Sequence, residues 1–154
     1  MISLLPAHHE TLVLPKPAAE VYQILSAASS HKLFIQPDEK KLFFNGWVKE
    51  TRFRLALRQR RANHYLPLVV GKIEATSTGS LIFLDYKLFP MTRLLLTLWT
   101  LFLILGFLTA WYQTKNILFL PGGLALILLI HAIAQSNFRL QLKPTREALH
   151  QLLT

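Results

Sequence analysis

Two apolar runs, Leu94 to Tyr112 and Ile117 to Ala134, are joined by only four residues, and neither contains Asp, Glu, Lys or Arg. Crossing a hydrocarbon core about 30 Å thick takes roughly 20 helical residues at about 1.5 Å each, within a range of about 17 to 25. Both runs fit, so the spacing predicts a transmembrane helical hairpin with spans of 94–112 and 117–134. Thr97, Thr100 and Thr109 can return their hydroxyls to carbonyls one turn back, and Trp111 and Tyr112 stand where an aromatic belt belongs. Gln113 to Asn116 is the expected turn. Pro121, Gly122 and Gly123 fall in the first two turns of the second span, where a missing amide proton costs least. Two buried helices of a soluble core would carry polar faces at helical spacing, and Leu94 to Leu108 has almost none.

Basic side chains flanking a span are held on the cytoplasmic side during insertion. Thirteen of the 17 Lys and Arg residues precede the first span, Arg139, Lys143 and Arg146 follow the second, and Lys115 alone lies in the turn. Both termini are therefore expected to be cytoplasmic, and the lack of a transit peptide favours a bacterial inner membrane. Met1 to Pro6 has no basic stretch that would open a secretory signal, and His8, His9 and Glu10 interrupt the apolar residues behind it. The expected organisation is a cytoplasmic α+β domain at residues 1–91, a membrane hairpin at 92–134, and a strand and helix at 135–154 that pack back on the first domain. Zero cysteines exclude disulfides, thiolate metal sites and a cysteine nucleophile. The net charge of +9 admits anionic lipid, nucleic acid or acidic protein as partners, and the spans favour lipid.

The extramembrane pattern predicts an α+β fold: a small antiparallel β-sheet with short N- and C-terminal helices and the transmembrane α-helical hairpin inserted into it. Thr11 to Leu14 alternates as a strand, and Lys16-Pro17-Ala18-Ala19-Glu20 opens a helix to Ala27 with Val21, Ile24 and Leu25 as its buried stripe. After the polar stretch Ser29 to Lys41, strand signals resume at Leu42 to Lys49, interrupted by Asn45-Gly46. From Thr51 to Arg60, Phe53, Leu55 and Leu57 alternate with Arg52, Arg54, Arg58 and Arg60, a half-buried strand with an arginine-rich open face. Leu68 to Ala75 and Ser80 to Leu88 form a hairpin across Thr76 to Gly79. Asn137 to Leu142 alternates as a further strand, expected to pair with Ser80 to Leu88. Lys143-Pro144-Thr145-Arg146-Glu147 then opens a short helix with the same Lys-Pro-x-x-Glu grammar as residues 16–20.

The segments Phe44-Asn45-Gly46-Trp47-Val48, Phe53-Arg54-Leu55, Arg61 to Ile73 and Gly79-Ser80-Leu81-Ile82 together resemble a group of uncharacterised bacterial two-helix membrane proteins. Their pattern runs F-x-G-x-V, F-x-I, R-N-S-F-x-P-x-x-x-G-x-I, G-T-x-I, and then a membrane hairpin. The likeness spans residues 42–134. It departs at His64, where the pattern has Ser, and at Ala62, which separates Arg61 from Asn63. The group carries no assigned activity and no catalytic residues, so the resemblance implies architecture.

Lys49, Arg52, Arg54, Arg58, Arg60 and Arg61 are the candidate lipid- or partner-contact residues. Each cation near anionic lipid contributes about 1 kcal/mol. A solvated sheet face would carry the same letters. Nucleic acid is not expected, because that face lacks interleaved aromatics for base stacking. Asn63, His64, Tyr65 and Pro67 form a candidate contact loop, though turn-capping and strand-ending residues look alike. His131, inside the second span, is a candidate intramembrane polar site, a proton relay or haem ligand, or else a neutral side chain bonded near the helix end. No metal site is expected: His8-His9 lacks a partner at ligand spacing, and Asp38-Glu39 followed by Lys40-Lys41 reads as a solvated loop.

No phosphate loop, nucleophile elbow or H-E-x-x-H motif is present, and the acid pair Glu74 and Asp85 is the remaining acid–base option. Neither a cofactor nor an enzymatic activity is expected. The expected function is a non-enzymatic, membrane-anchored interaction or assembly module that meets anionic lipid or a membrane-protein partner. The alternative is a small-ligand or lipid-handling protein with a cavity between sheet and N-terminal helix. The oligomeric state is left open: Gly106 lacks a small residue four positions away, and Gly122-Gly123 lies near a span end.

Overall fold

Short apolar stripes along the chain meet on a common face. The structure is a computed structural model that describes residues 5–30, 44–59 and 63–154. Arg60 and Arg61, the loop Asp38 to Lys41 and Leu42 lie outside the described residues. In chain order the elements are β1 (Ala7–Leu14), α1 (Ala18–Ala27), β2 (Ser29–Ser30), β3 (Phe44–Val48), β4 (Arg52–Leu57), β5 (Pro67–Thr76), β6 (Gly79–Leu88), α2 (Pro90–Thr114) and α3 (Phe119–Leu153). The strands make one sheet in the order β1-β6-β5-β4-β3-β2, antiparallel except for the two-residue β2, which runs parallel to β3.

One face of this sheet is apolar because alternate residues point the same way. Phe53 and Leu55 of β4, Val69 and Ile73 of β5, and Ile82, Leu84, Tyr86 and Leu88 of β6 are buried in one cluster with Leu14. Val21 and Leu25 of α1 and Phe138, Leu149 and Leu153 of α3 complete it from the other side. Helix α1 starts as expected, with Pro17 at its N-cap and Glu20 in the first turn. At Gly46 φ is +151°, and a Cβ would strike the Arg54 carbonyl, so glycine lets β3 pair through that point.

The tail departs from its expected strand and short helix. Residues 137–142 are helical, and α3 runs unbroken through Pro144 to Leu153 as a single 35-residue helix. The sheet partner of β6 is β1, with His9 opposite Asp85 and Leu12 opposite Ile82. The deciding signal is a period of 3.6: Ala134, Phe138, Thr145, Leu149 and Leu153 are buried along one face, whereas Leu140, inward in the strand reading, is 67% exposed. Pro144 removes one amide and clashes in a helix interior, a cost of about 3 kcal/mol. It sits on the exposed side, and burying Phe138, Leu149 and Leu153 at roughly 1.5–3 kcal/mol each outweighs that cost. Lys16 closes the far end, its Nζ donating to the Leu153 carbonyl at 2.7 Å.

Helices α2 and α3 are both long and apolar enough to cross a membrane, with mean hydropathies of 2.1 and 1.7 over their best windows. No residue of α2 is buried. The two are joined through Lys115, which takes a left-handed conformation (φ 54°) at the α2 C-cap, and Asn116, whose Oδ1 accepts from the Leu118 amide at 3.0 Å. They pack closely where Gly123 meets the Phe107 ring.

Gly71 lies opposite Phe53 in the ladder, and a Cβ there would enter the space of the Phe53 ring. Gly71→Ala is expected to destabilise the body by about 1–3 kcal/mol through overpacking, read as a lowered Tm in detergent. Gly106→Ala, which meets nothing within 4 Å, is the matched control and should leave Tm unchanged or slightly raised.

Candidate functional site

Three polar constellations flank the core. The first is a groove of about 660 Å³ on the outer face of the sheet, at the end where β6 passes into α2. Its floor is Ala56 and Leu68, and Trp47, Leu66, Phe89 and Met91 wall it. Arg54, Asn45, Asn63 and His64 bring polar atoms into it. Arg54 makes no ion pair among the described residues, and no fold contact consumes its charge. The loop beside it is ordered by its own bonds: the Tyr65 amide donates to Asn63 Oδ1 at 2.9 Å, and Thr92 Oγ1 donates to the His64 carbonyl at 3.0 Å. Tyr65 instead packs against the core, and Pro67 opens β5.

Among the described members of the arginine cluster, Arg52 and Arg54 share the outer face of β4. Lys49 and Arg52 bracket the β3–β4 turn at the end of the sheet far from α2, where Lys49 Nζ lies 5.5 Å from the Trp47 ring centroid. Arg58 follows β4 at the end near α2. Six strand positions at about 3.3 Å each separate Arg52 from Arg58 by about 20 Å. Arg54 stands between them on the outer face.

The second constellation links the edge strand to α3. His8, Glu10, Leu12 and Leu14 point inward from β1, and Glu10 meets Arg146 and His150. Arg146 donates through Nε to Glu10 Oε2 at 2.9 Å and Oε1 at 3.1 Å, and through Nη2 to Oε1 at 2.6 Å. His150 Nε2 is 3.1 Å from the same Oε1, and the Tyr86 hydroxyl donates to Oε2 at 3.4 Å. Burial pushes the Glu10 carboxyl up, but the hydrogen bond from Arg146 and the charges of His150 and Arg146 outweigh it and hold the group below the ordinary glutamate value. Burial, then the Glu10 charge, raises the Tyr86 phenol. Beside this cluster a cleft of about 570 Å³ opens between His8 and the α3 residues Arg139, Lys143, Arg146 and His150.

The third is His131. Thr100 Oγ1 donates to the Leu96 carbonyl at 2.8 Å and lies 3.0 Å from His131 Nε2. The other ring nitrogen, Nδ1, is buried without a protein partner among the described residues. The pair ties α2 to α3.

Glu74 and Asp85 do not meet. Glu74 pairs with Lys72 at 2.5 Å, and Asp85 pairs with Lys87 at 2.8 Å and with His9. Among the described residues no three His, Asp or Glu side chains converge in a way that would hold a metal ion. His8 and His9 point to opposite faces, His8 toward the Tyr86 ring and His9 toward Asp85. The Glu10 cluster has no counterpart in the sequence reading, since its partners lie 136 residues apart along the chain. The alternation of β1 and the helical period of residues 139–150 are the two signals that, combined, would have pointed to it.

Glu10 and Asp85 both have lowered pKa values. Their stabilisation is therefore complete above the unfolded carboxylate range, about 4, and is lost as pH falls through the lower folded values. Thermal melts are expected to show Tm falling from about pH 5 to about pH 3, with a smaller fall, from a lower starting Tm, in Glu10→Gln.

No family model matches the chain, and no curated protein matches it. Among solved structures it is similar to the solution NMR structure of a Polyketide_cyc-like protein from Corynebacterium glutamicum, at 12% identity over 91% of this chain and 94% of that one, with a TM-score of 0.29.

Proposed function

We propose that this is an integral membrane protein whose α+β body, held at the cytoplasmic face, serves as a non-enzymatic interaction or assembly module. The observation that carries the reading is the exposure of α2: none of its 25 residues is fully buried, and those that are half-buried, such as Thr100 and Phe107, include the ones that meet α3. Leu94, Leu95, Leu98, Trp99, Leu101 and Phe102 are each more than half exposed, a surface that water does not tolerate and lipid does. Cations stand at both exits of the hairpin into the body, Arg93 ahead of the first apolar run and Arg139 behind the second, against Lys115 at the tip. The groove around Arg54 adjoins α2, so a partner embedded in the same membrane would meet its apolar wall and its unpaired cation together.

A second reading, handling of a small apolar ligand or lipid, draws on the same groove. The layer between sheet and α1, where the sequence reading expects a cavity, is occupied by Val21, Leu25, Phe44, Leu55 and Phe53, all fully buried. The outer groove has the room, with a mostly apolar wall.

Two experiments test the placement and the module. The cysteine-free chain suits single-cysteine labelling: Asn116→Cys is expected to react with an impermeant maleimide from outside intact cells, and Thr154→Cys only after permeabilisation. The reverse pattern excludes the orientation, and release of the protein by alkaline carbonate excludes the spans. A partner retained in mild detergent is expected to dissociate at lower salt when Arg52, Arg54, Arg58 and Arg60 are changed to Gln with Tm preserved. An apolar small molecule that stays bound through those changes would favour the second reading.

A further inference from the structure

Helix register places the cleft beside α3 at a definite height. His131 bonds to Thr100 and Gly123 packs on Phe107, so positions on α2 and α3 whose numbers sum to about 230 stand level with each other. Arg93, which precedes the first apolar run, is therefore level with residues 137–138, and Arg139 emerges directly above the apolar segment. Lys143 is one turn higher, about 6 Å.

Arg139, Lys143, Arg146 and His150 recur at intervals of four, three and four, so one face of α3 carries them all toward the edge strand. Glu10 is spent within this set, gripping Arg146 with three short contacts and standing against His150. Arg139 and Lys143 have no ion-pair partner among the described residues. The remaining carboxylate on the cleft is Glu147, exposed at its rim. The cleft is thus closed on its far side by a locked guanidinium and lined toward the hairpin by two uncommitted cations, one of them an Arg suited to bidentate contact with phosphate oxygens.

We propose that this cleft binds a phosphate group, held by Arg139 and Lys143 with the spare N–H groups of Arg146 behind them, and that the phosphate is the headgroup of an anionic phospholipid. The lipid source rests on the membrane reading above, because it needs the cleft mouth at headgroup depth. The phosphate chemistry does not, and a soluble phosphate ester would use the same contacts.

The test is native mass spectrometry of the full chain in detergent, titrated with phosphatidylglycerol, with phosphatidylcholine, and separately with glycerol 3-phosphate. Phosphatidylglycerol is expected to bind in preference to phosphatidylcholine, with its affinity reduced roughly 25-fold by Arg139→Gln/Lys143→Gln, about fivefold per cation. Glu147→Gln is expected to tighten it by a few fold, a gain that misfolding does not mimic. Glycerol 3-phosphate binding that depends on the same two cations, without preference between the lipids, supports the phosphate site and assigns it to a soluble ester. Binding of neither probe by wild type with a normal melt overturns the proposal, as does phosphatidylglycerol binding indifferent to Arg139 and Lys143. A carbonate-extractable protein that still binds glycerol 3-phosphate would remove the membrane reading and leave the site.

Discussion

One helix has to satisfy two environments. The first half of α3 is apolar apart from His131 and packs on α2, whereas its second half narrows to a single buried stripe from Ala134 to Leu153. The sheet cannot close its core without that stripe, since Phe138, Leu149 and Leu153 complete the layer opposite β4, β5 and β6. Hairpin and body are therefore not two domains joined by a linker. They share a backbone rod, and each hydrogen bond along it resists their separation.

Around this rod the polar residues are arranged by what the core leaves free. The inward positions of β1 nearest α2 fall beyond the apolar centre, so His8 and Glu10 face α3, and Glu10 finds Arg146 and His150 there. A carboxylate only 11% exposed would be costly alone, and three donor contacts from a guanidinium make it a fastening between edge strand and helix. On the opposite face of the sheet no helix among the described residues covers β4 and β5. Arg54, Trp47 and Leu68 line a groove there, between the sheet and the first turn of α2. The covered face organises the fold, and the uncovered one supplies a surface for recognition.

Much of this was legible in the chain. The two apolar runs, the Pro17 helix start, the alternation of Phe53 and Leu55 with Arg52 and Arg54, and the Thr76–Gly79 hairpin are all local patterns, and each recurs in the structure. Residues 137–142 misled because six residues cannot separate a period of 2 from one of 3.6, and Lys143-Pro144 imitates a helix start. Only the wider window, in which Phe138, Thr145 and Leu149 fall in step, resolves it. The Glu10 cluster was beyond reach for another reason. It depends on which strand edge lies beside α3, a property of topology that no short segment encodes.

The continuity of α3 also sets an angular phase. Each residue added to an α-helix turns everything beyond it by about 100° and advances it by about 1.5 Å. The spacing between His131, which faces α2, and Phe138, which faces the sheet, therefore works as a gear setting: seven residues are close to two full turns and keep both contacts on nearly the same side of the rod. A rotation of the hairpin about the rod is therefore coupled to the sheet through that segment, and the tilt of the apolar helices is linked to the bearing of the outer groove.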